Sequence, residues 1–256
     1  MSLTLKKTPF AAVVFSLLIS CNTGSTISSV NTAVIELNST TVPKEDPEAS
    51  STIDPYKSKL DSDMNSVLAI CEENLTKANP EGRLGNLIAD LTLEKANEYC
   101  VAKGIPKADI SLLNNGGLRT SLPEGEILKR RVFELMPFEN EIVIVTLTGK
   151  KTSGLFDYLA YVNGMPLSGA RMEIKGGKQY GTTIGGSLID TNLTYRVATS
   201  DYLANGGDRM KFFLDPLSIE NLGHKLRDAI IEYLIAEHKS GKTINAQLDG
   251  RIKTIE

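Results

Sequence analysis

A predicted strand in the middle of the sequence passes into a predicted helix with no loop between them. The strand segment, "NEIVIVTLTG" at residues 140–149, is rich in β-branched side chains and alternates along its length. The helix segment, "GKKTSGLFDYLAYVNG" at residues 149–164, follows it at once. The chain is therefore expected to intermix helices and strands.

Helical periodicity recurs in three other segments, where apolar side chains are spaced three or four residues apart. These segments are residues 56–74, 84–102 and 219–239. Gly104 and Gly241 follow the second and third segments, and each glycine is predicted to end its helix.

Shorter segments supply the remaining predicted strands. They lie at residues 109–113, 169–175, 187–200 and 249–256. Strands and helices do not alternate regularly, which favours an α+β class: a single domain with a mixed β-sheet and flanking helices. The chain has 256 residues, of which 41% are apolar, so it is long enough to bury a substantial core.

Charge and histidine content argue against two classes of function. The net charge is -3, so no overall positive charge attracts phosphates, and no nucleic-acid partner is expected. His224 and His238 are too far apart for a metal-ligand spacing such as i, i+4. Both histidines are predicted to lie on a helix surface, and no metal site is expected in this chain.

The N-terminal segment has the composition of an export signal. Two lysines precede an apolar run from Pro9 to Ile19, which is too short to cross a bilayer as a mature helix. The letters "LISC" that follow resemble a bacterial lipobox, and this resemblance implies cleavage before Cys21 and lipidation of that cysteine. An ordinary signal peptide with an incidental Cys21 is the alternative. A lipoprotein would be exported and anchored in the bacterial cell envelope, on its periplasmic or its surface side.

Composition divides the chain into three predicted parts. Residues 1–20 are the signal peptide. Residues 21–54 form a tether rich in Ser, Thr, Pro and Asn, with at most one short strand at residues 33–37. Residues 55–256 form the folded domain.

Two cysteines remain in the predicted folded domain. Cys71 and Cys100 both fall on apolar faces of predicted helices. The sequence is equally compatible with a disulfide bridge and with two buried free thiols, because it does not fix the distance between them.

Polar and aromatic residues that suit a ligand site are concentrated in three loops. "NNGGLR", from Asn114 to Arg119, has glycines that let the backbone approach a ligand, flanked by an amide and a guanidinium group. "MPFENEIV" places Phe138 just before a predicted strand, and "ATSDYLANGGD" contains Tyr202 and Asp208. Taken singly, the first loop is better explained as a tight turn, the third is equally well explained as a turn or a ligand loop, and an isolated Phe138 is more often a core residue.

Taken in order along the chain, these motifs resemble those of one protein family. A helix carrying "GRLGNLIAD" precedes a strand that leads into "NNGGLR", and then come "PFEN" and "YRVATSDYLANGGD". This order resembles the C-terminal domain of bacterial and animal 5'-nucleotidases, including the UDP-sugar hydrolases. The resemblance extends from about residue 55 to the end of the chain.

The resemblance implies a substrate-binding role for six residues. In that family the domain stacks the base of a nucleoside between two aromatic rings, which correspond here to Phe138 and Tyr202. The family's "GGD" aspartate, which accepts hydrogen bonds from ribose hydroxyls, corresponds to Asp208. The family's further contacts to base and ligand correspond to Asn114, Arg119 and Asn140.

Two positions depart from the family pattern. The family continues "GGD" with glycine and an aromatic residue, whereas this chain has Arg209 and Met210. The family's arginine before the "GNL" helix falls at Ala78, where the neighbouring basic residues are Lys77 and Arg83.

The resemblance also implies a catalytic domain whose motifs this sequence lacks. In the complete enzymes, an N-terminal metallophosphoesterase domain holds two metal ions through "DxH" and "GNHE" motifs, and neither motif occurs here. One hypothesis is therefore a nucleoside- or nucleotide-binding half of a split 5'-nucleotidase, inactive alone, whose divalent metals lie in a separately encoded metallophosphoesterase subunit. The alternatives are a non-enzymatic, lipid-anchored nucleotide-binding or adhesive envelope protein, and a structural lipoprotein without a small ligand.

Overall fold

The computed structural model describes residues 27–34 and 46–256. The chain divides into two compact units, residues 1–50 and 51–256. In the first unit, the described residues before position 35 are exposed and have no regular secondary structure. The predicted signal peptide and its cysteine lie outside the described residues, as does most of the strand predicted within the tether.

Eleven strands form three sheets in the described part of the chain. In chain order they are β1 (Val67–Cys71), β2 (Ile110–Leu112), β3 (Gly125–Leu128), β4 (Glu141–Thr148), β5 (Leu167–Ser168), β6 (Ala170–Lys175), β7 (Lys178–Ile184), β8 (Ser187–Leu188), β9 (Thr194–Ser200), β10 (Ser218–Lys225) and β11 (Ile252–Ile255).

Six α-helices accompany these strands in the described residues. They are α1 (Pro47–Met64), α2 (Arg83–Lys103), α3 (Lys129–Leu135), α4 (Gly149–Tyr161), α5 (Asp201–Ala204) and α6 (Leu226–Lys239). Helix α1 begins inside the predicted tether and buries none of its side chains. None of the helices in the described residues has both the length and the apolar character of a membrane span.

A five-stranded mixed sheet lies at the centre of the fold, with the strand order β10-β4-β9-β2-β5. Strand β2 runs parallel to β9, and the other neighbouring pairs are antiparallel. A four-stranded sheet has the order β11-β6-β7-β8, and β1 pairs with β3. The α+β class with mixed sheets is therefore confirmed.

Strand β4 separates two hydrophobic cores. Ile142 and Ile144 pack into one core with helices α2 and α6, whereas Val143 and Val145 pack into the other with helix α4. Because both faces of the strand are covered, its four consecutive positions 142–145 are all apolar. This burial holds the central sheet in place between two helical layers.

Two of the predicted helices are wrong over part of their length. The helix predicted at residues 56–74 ends at Met64, and β1 follows it and pairs with β3. The helix predicted at residues 219–239 begins at Leu226, because the preceding residues form the edge strand β10 against β4. In both places the apolar spacing fits a helix, but sheet pairing decides the structure.

These corrections also change the surroundings of a histidine. His224 lies on strand β10, not on a helix, and its Nε2 is 3.3 Å from Oε2 of Glu232. His238 lies exposed near the end of α6, as predicted. Gly104 ends α2 in the left-handed conformation that glycine favours.

Both cysteines of the described residues are buried free thiols. Cys71 lies on β1 and Cys100 on α2. Burial raises the pKa of the Cys71 thiol, so the thiolate is disfavoured there. Of the two alternatives left open by the sequence, the disulfide bridge is excluded in this structure.

Candidate ligand-binding site

Three loops meet at one edge of the central sheet because of the way its strands pair. Strands β2 and β9 run parallel, so their C-terminal ends reach the same edge. Strand β4 is antiparallel to β9, with Ile142 opposite Ser200, so it begins where β9 ends. The loops after β2 and β9 and the loop before β4 are therefore neighbours, although they are far apart in sequence.

A cavity of about 370 Å³ opens between these loops. All six residues assigned by resemblance line it: Asn114, Arg119, Phe138, Asn140, Tyr202 and Asp208. Its volume falls within the roughly 300–1,000 Å³ of small-molecule sites. The structure therefore brings together every one of these residues, while their role in binding stays a prediction.

The floor of the cavity is apolar, and sequence reasoning missed it. Its lining includes four buried side chains: Leu113, Leu118, Met136 and Leu226. A buried leucine carries no sequence signal that distinguishes a cavity floor from ordinary core packing. The apolar floor and the polar loops together form the mostly apolar, sparsely polar surface that is typical of ligand sites.

Two exposed aromatic rings line the cavity. Phe138 is 41% exposed and Tyr202 is 48% exposed, whereas Phe156 and Phe213 are fully buried in the core. In the described part of the chain, neither exposed ring is stacked on another aromatic ring. Their apolar faces are therefore accessible, and the core position considered for Phe138 does not apply.

The carboxylate of Asp208 is held by two neighbouring side chains. Nδ2 of Asn114 donates a hydrogen bond of 2.6 Å to its Oδ2, and the phenol of Tyr202 donates one of 2.9 Å to its Oδ1. Hydrogen bonds to a charged acceptor are shorter and stronger than neutral ones. The acid is therefore fixed in orientation while each oxygen keeps a lone pair for a ligand.

Tyr158 supports the same aspartate from helix α4 and was not identified from the sequence. Its phenol donates a hydrogen bond of 2.7 Å to the backbone carbonyl of Asp208. Burial, with the nearby charge of Asp208, raises the pKa of the Tyr158 phenol, so it stays a donor at neutral pH. The contact joins residues 50 positions apart in the chain, a separation at which sequence periodicity gives no signal.

The "NGGD" turn depends on both of its glycines. Gly206 has φ +84°, which glycine adopts without strain. At Gly207 a Cβ atom would lie 2.5 Å from Cε1 of Tyr202, so the bare backbone packs directly against the ring. Asp208 and Arg209 continue with φ of +50° and +64°, and Arg209 holds this left-handed conformation at the position where the family has glycine.

Lys77 holds the "NNGGLR" loop through two hydrogen bonds to its backbone. Nζ of Lys77 donates hydrogen bonds of 3.2 Å to the carbonyl of Asn115 and 2.7 Å to that of Leu118. Arg119 is exposed at the cavity, and its Nη1 donates one of 3.2 Å to the carbonyl of Gly116. Lys77 therefore supports the loop, which fits its position next to the missing family arginine.

Arg83, the other basic residue near that position, has a different role. It forms an ion pair with Glu73 and does not line the cavity. Within residues 27–34 and 46–256, no group of three or more His, Cys, Asp or Glu side chains is arranged to hold a metal ion. The groups at the cavity are suited to hydrogen bonding and stacking.

Comparison with protein families identifies the domain type. The family described as "5'-nucleotidase, C-terminal domain" matches residues 66–215, which is more than half of the chain. The matched segment contains all six cavity residues assigned by resemblance. The resemblance drawn from the sequence motifs is thereby confirmed.

Curated relatives carry nucleotide phosphoesterase names. The chain is 29% identical over 238 residues to the "Trifunctional nucleotide phosphoesterase protein YfkN" of Bacillus subtilis, which covers 83% of this chain and 15% of that protein. It is 30% identical over 179 residues to the 5'-nucleotidase of Vibrio vulnificus, which covers 64% of this chain and 30% of that protein. The chain thus spans less than a third of either relative.

Solved structures share the fold. The 5'-nucleotidase precursor from Thermus thermophilus superimposes with a TM-score of 0.68 at 26% identity, covering 82% of this chain and 43% of that one. The NAD nucleotidase of Haemophilus influenzae superimposes with a TM-score of 0.60 at 17% identity, covering 83% and 42%. The second likeness shows the fold alone.

The contact between Gly207 and Tyr202 can be tested by Gly207→Ala. The added methyl group would overlap the ring, so we expect a loss of about 1–3 kcal/mol in the free energy of unfolding, as for other overpacked sites. Urea denaturation monitored by circular dichroism measures the change.

Gly154→Ala is the matched control for that substitution. A Cβ atom at Gly154 would meet nothing within 4 Å, and the residue lies inside helix α4. Alanine there is expected to stabilise the protein by about 0.5–1 kcal/mol. A Gly207→Ala variant as stable as wild type would show that the ring is not fixed by this glycine.

Proposed function

This chain belongs to the 5'-nucleotidase C-terminal domain family, and on that premise we propose that its cavity binds the nucleoside part of a nucleotide. The observation that carries the proposal is the placement of two exposed aromatic rings and one oriented carboxylate around a single cavity. A flat base needs an apolar face to stack on, and a ribose needs an acceptor for its hydroxyl groups. The cavity offers both.

Stacking supplies most of the affinity in this proposal. A base stacked on an aromatic side chain gains about 1–3 kcal/mol, with little preference among bases, since every base has a π face. Phe138 and Tyr202 therefore give affinity for nucleosides as a class. Asn114 and Asn140 line the same cavity and add amide groups that can contact the edge of a base.

Asp208 is the proposed sugar-binding group. A carboxylate accepts hydrogen bonds from hydroxyl groups, and such charge-assisted bonds are stronger than neutral ones. Asn114 and Tyr202 hold the carboxylate in place before any ligand arrives. A preoriented acceptor reduces the ordering cost of binding.

We further propose that this chain is the substrate-binding half of a split 5'-nucleotidase. Two-metal phosphoesterases activate water with metal ions held by clustered acidic and histidine ligands. This chain has two histidines and lacks the metal-binding motifs of the complete enzymes. In the proposal, the divalent metals belong to a separately encoded metallophosphoesterase subunit, and this chain presents the nucleotide to it.

A non-enzymatic role is the second candidate, and the same shortage of metal ligands favours it. In that case the lipid-anchored protein would bind nucleotides, or use the domain as an adhesive module, without taking part in their hydrolysis. In both candidates the protein is anchored in the cell envelope through Cys21, on either the periplasmic or the surface side. They differ in whether a phosphoesterase chain associates with it.

Removing either aromatic ring tests the binding proposal. Phe138→Ala and Tyr202→Ala are each expected to weaken adenosine binding by about 1–3 kcal/mol, the value of one stacked base. Isothermal calorimetry of the full-length chain in detergent, with adenosine, uridine, AMP and inorganic phosphate, measures this. Tyr180→Ala is the control, because Tyr180 is exposed on β7 and lies outside the cavity. Unchanged affinity in both cavity variants would remove the stacking model.

Phosphate release tests whether hydrolysis requires a second chain. The purified chain, supplied with Mn²⁺ or Zn²⁺, is expected to bind AMP without hydrolysing it, because it lacks the ligands of a two-metal site. Phosphate release is then measured in native membrane fractions after crosslinking to this chain. Hydrolysis that copurifies with a second chain supports the split enzyme, while binding without any associated hydrolysis supports the non-enzymatic role. Hydrolysis by the pure chain would contradict both.

Membrane anchoring is tested by Cys21→Ser. Stable anchoring requires two acyl chains or an equivalent second signal, so loss of the lipidated cysteine is expected to move the protein from the membrane to the soluble fraction. Fractionation followed by detergent partitioning measures the distribution. A variant that stays in the membrane fraction as wild type does would contradict lipidation at this residue.

A further inference from the structure

Between the two cavity residues Phe138 and Asn140 lies a charged residue, Glu139, that does not line the same cavity. Glu139 accepts hydrogen bonds from Lys225 and Arg227, which flank the start of helix α6. Glu139 instead faces a more open groove that adjoins the cavity. The segment that carries one aromatic wall of the site is thus tied by its middle residue to another element.

Arg227 is held firmly at its own position. Its side chain is 8% exposed, and its guanidinium carbon lies 4.3 Å from the centroid of the Phe133 ring on helix α3. Arginine over an aromatic face gains a cation–π attraction that strengthens when water is excluded. Arg227 therefore joins helix α3, helix α6 and the loop from Met136 to Asn140 that leads from α3 into β4.

A backbone hydrogen bond fixes the same loop one residue further on. The amide of Leu226 donates a bond of 2.9 Å to the carbonyl of Asn140. Leu226 itself forms part of the cavity floor. The first turn of α6 thus holds the loop at two successive residues, by a side chain at Glu139 and by the backbone at Asn140.

The two cations do not contribute equally. Hydrogen bonds from Lys225, which has the larger effect, and from Arg227 lower the pKa of Glu139 to about 2. This carboxylate is therefore ionised at every physiological pH. Lys225 is much more exposed than Arg227, and ion pairs of exposed side chains are screened and contribute little. Arg227 is the buried one of the two cations, so the pair joins a fixed guanidinium to the exposed carboxylate of the loop.

We propose that the ion pair between Arg227 and Glu139 is a positioning clamp, which holds Phe138 and Asn140 at the cavity wall before a nucleoside binds. Neither member of the pair lines the cavity between the three loops, and only Glu139 lines the adjoining groove, so the clamp acts on the cavity through the loop. The inference rests on the proposed nucleoside-binding function. Preorganised groups bind more tightly because less ordering is needed on association.

Arg227→Met tests the clamp in the full-length chain in detergent. The variant keeps a long apolar stem over Phe133 and loses the charge. Adenosine affinity by calorimetry is expected to fall roughly tenfold, the scale of substitutions that act on a site through a network. Hydrogen exchange measured by mass spectrometry is expected to accelerate in peptides covering residues 136–142 and the amide of Leu226.

Arg251→Met is the matched control. Arg251 is also largely buried, at 11% side-chain exposure, and pairs with Asp90 and Asp249 away from the cavity. Its loss removes a comparable ion pair, so the thermal stability of both variants is expected to fall. Only Arg227→Met is expected to lose adenosine affinity and to raise exchange at residues 136–142.

A double-mutant cycle separates the clamp from general destabilisation. Glu139→Gln changes an exposed side chain and is expected to leave the fold intact, while weakening adenosine binding as Arg227→Met does. The double variant is expected to lose no more affinity than Glu139→Gln alone, because that substitution already removes the pair with Arg227 together with the pair with Lys225. Additive losses, or an affinity for adenosine that is unchanged in both single variants, would overturn the clamp.

The exchange measurement keeps this test independent of the proposed function. If wild-type protein binds no nucleoside, the proposed function fails, and the exchange rate of residues 136–142 alone decides whether the pair positions the loop. Exchange that stays at the wild-type rate in both Arg227→Met and Glu139→Gln would overturn the clamp even where binding is observed.

Discussion

The register of the central sheet is the constraint on which the rest of the structure depends. Strand β4 pairs with β9 so that Ile142 faces Ser200, which sets Asn140 and Tyr202 at the same edge. Strand β2 runs parallel to β9 and delivers Asn114 to that edge as well. A slip of one residue would turn each strand's side chains to the opposite face. In β4 such a slip would exchange side chains between two separate cores and disrupt the packing of both.

Given that register, Asp208 organises the polar side of the cavity. Three donors from three elements converge on it: Asn114 after β2, Tyr202 in α5 and Tyr158 in α4. The phenol of Tyr202 joins an aromatic face to a carboxylate, so the ring and the acid cannot move independently. Phenylalanine at position 202 would stack a base equally well but would remove one of the two side-chain donors to the carboxylate of Asp208.

The sequence predicted the candidate site better than it predicted the elements around it. Phe138, Tyr202 and Asp208 stand in motifs next to strand ends, so an ordered set of short motifs identified them. The sequence pattern predicts helix at strands β1 and β10, because their pairing with β3 and β4 depends on distant residues. Tyr158 and Arg227 were missed for the same reason, since their contacts span 50 and 88 residues and follow no periodicity.

The proposed function separates recognition of a nucleoside from the chemistry of its phosphate. Walls, floor and carboxylate of the cavity all come from one edge of one sheet, and three of its polar side chains, Asn114, Arg119 and Asp208, already have hydrogen-bond partners that orient them. Recognition by stacking and hydrogen bonding needs shape and dry surface, whereas hydrolysis of a phosphate ester needs metal ions to activate water and stabilise charge. Because these demands fall on different groups, a domain of this kind can keep its ligand site intact whether the metal-binding groups lie in the same chain or in another.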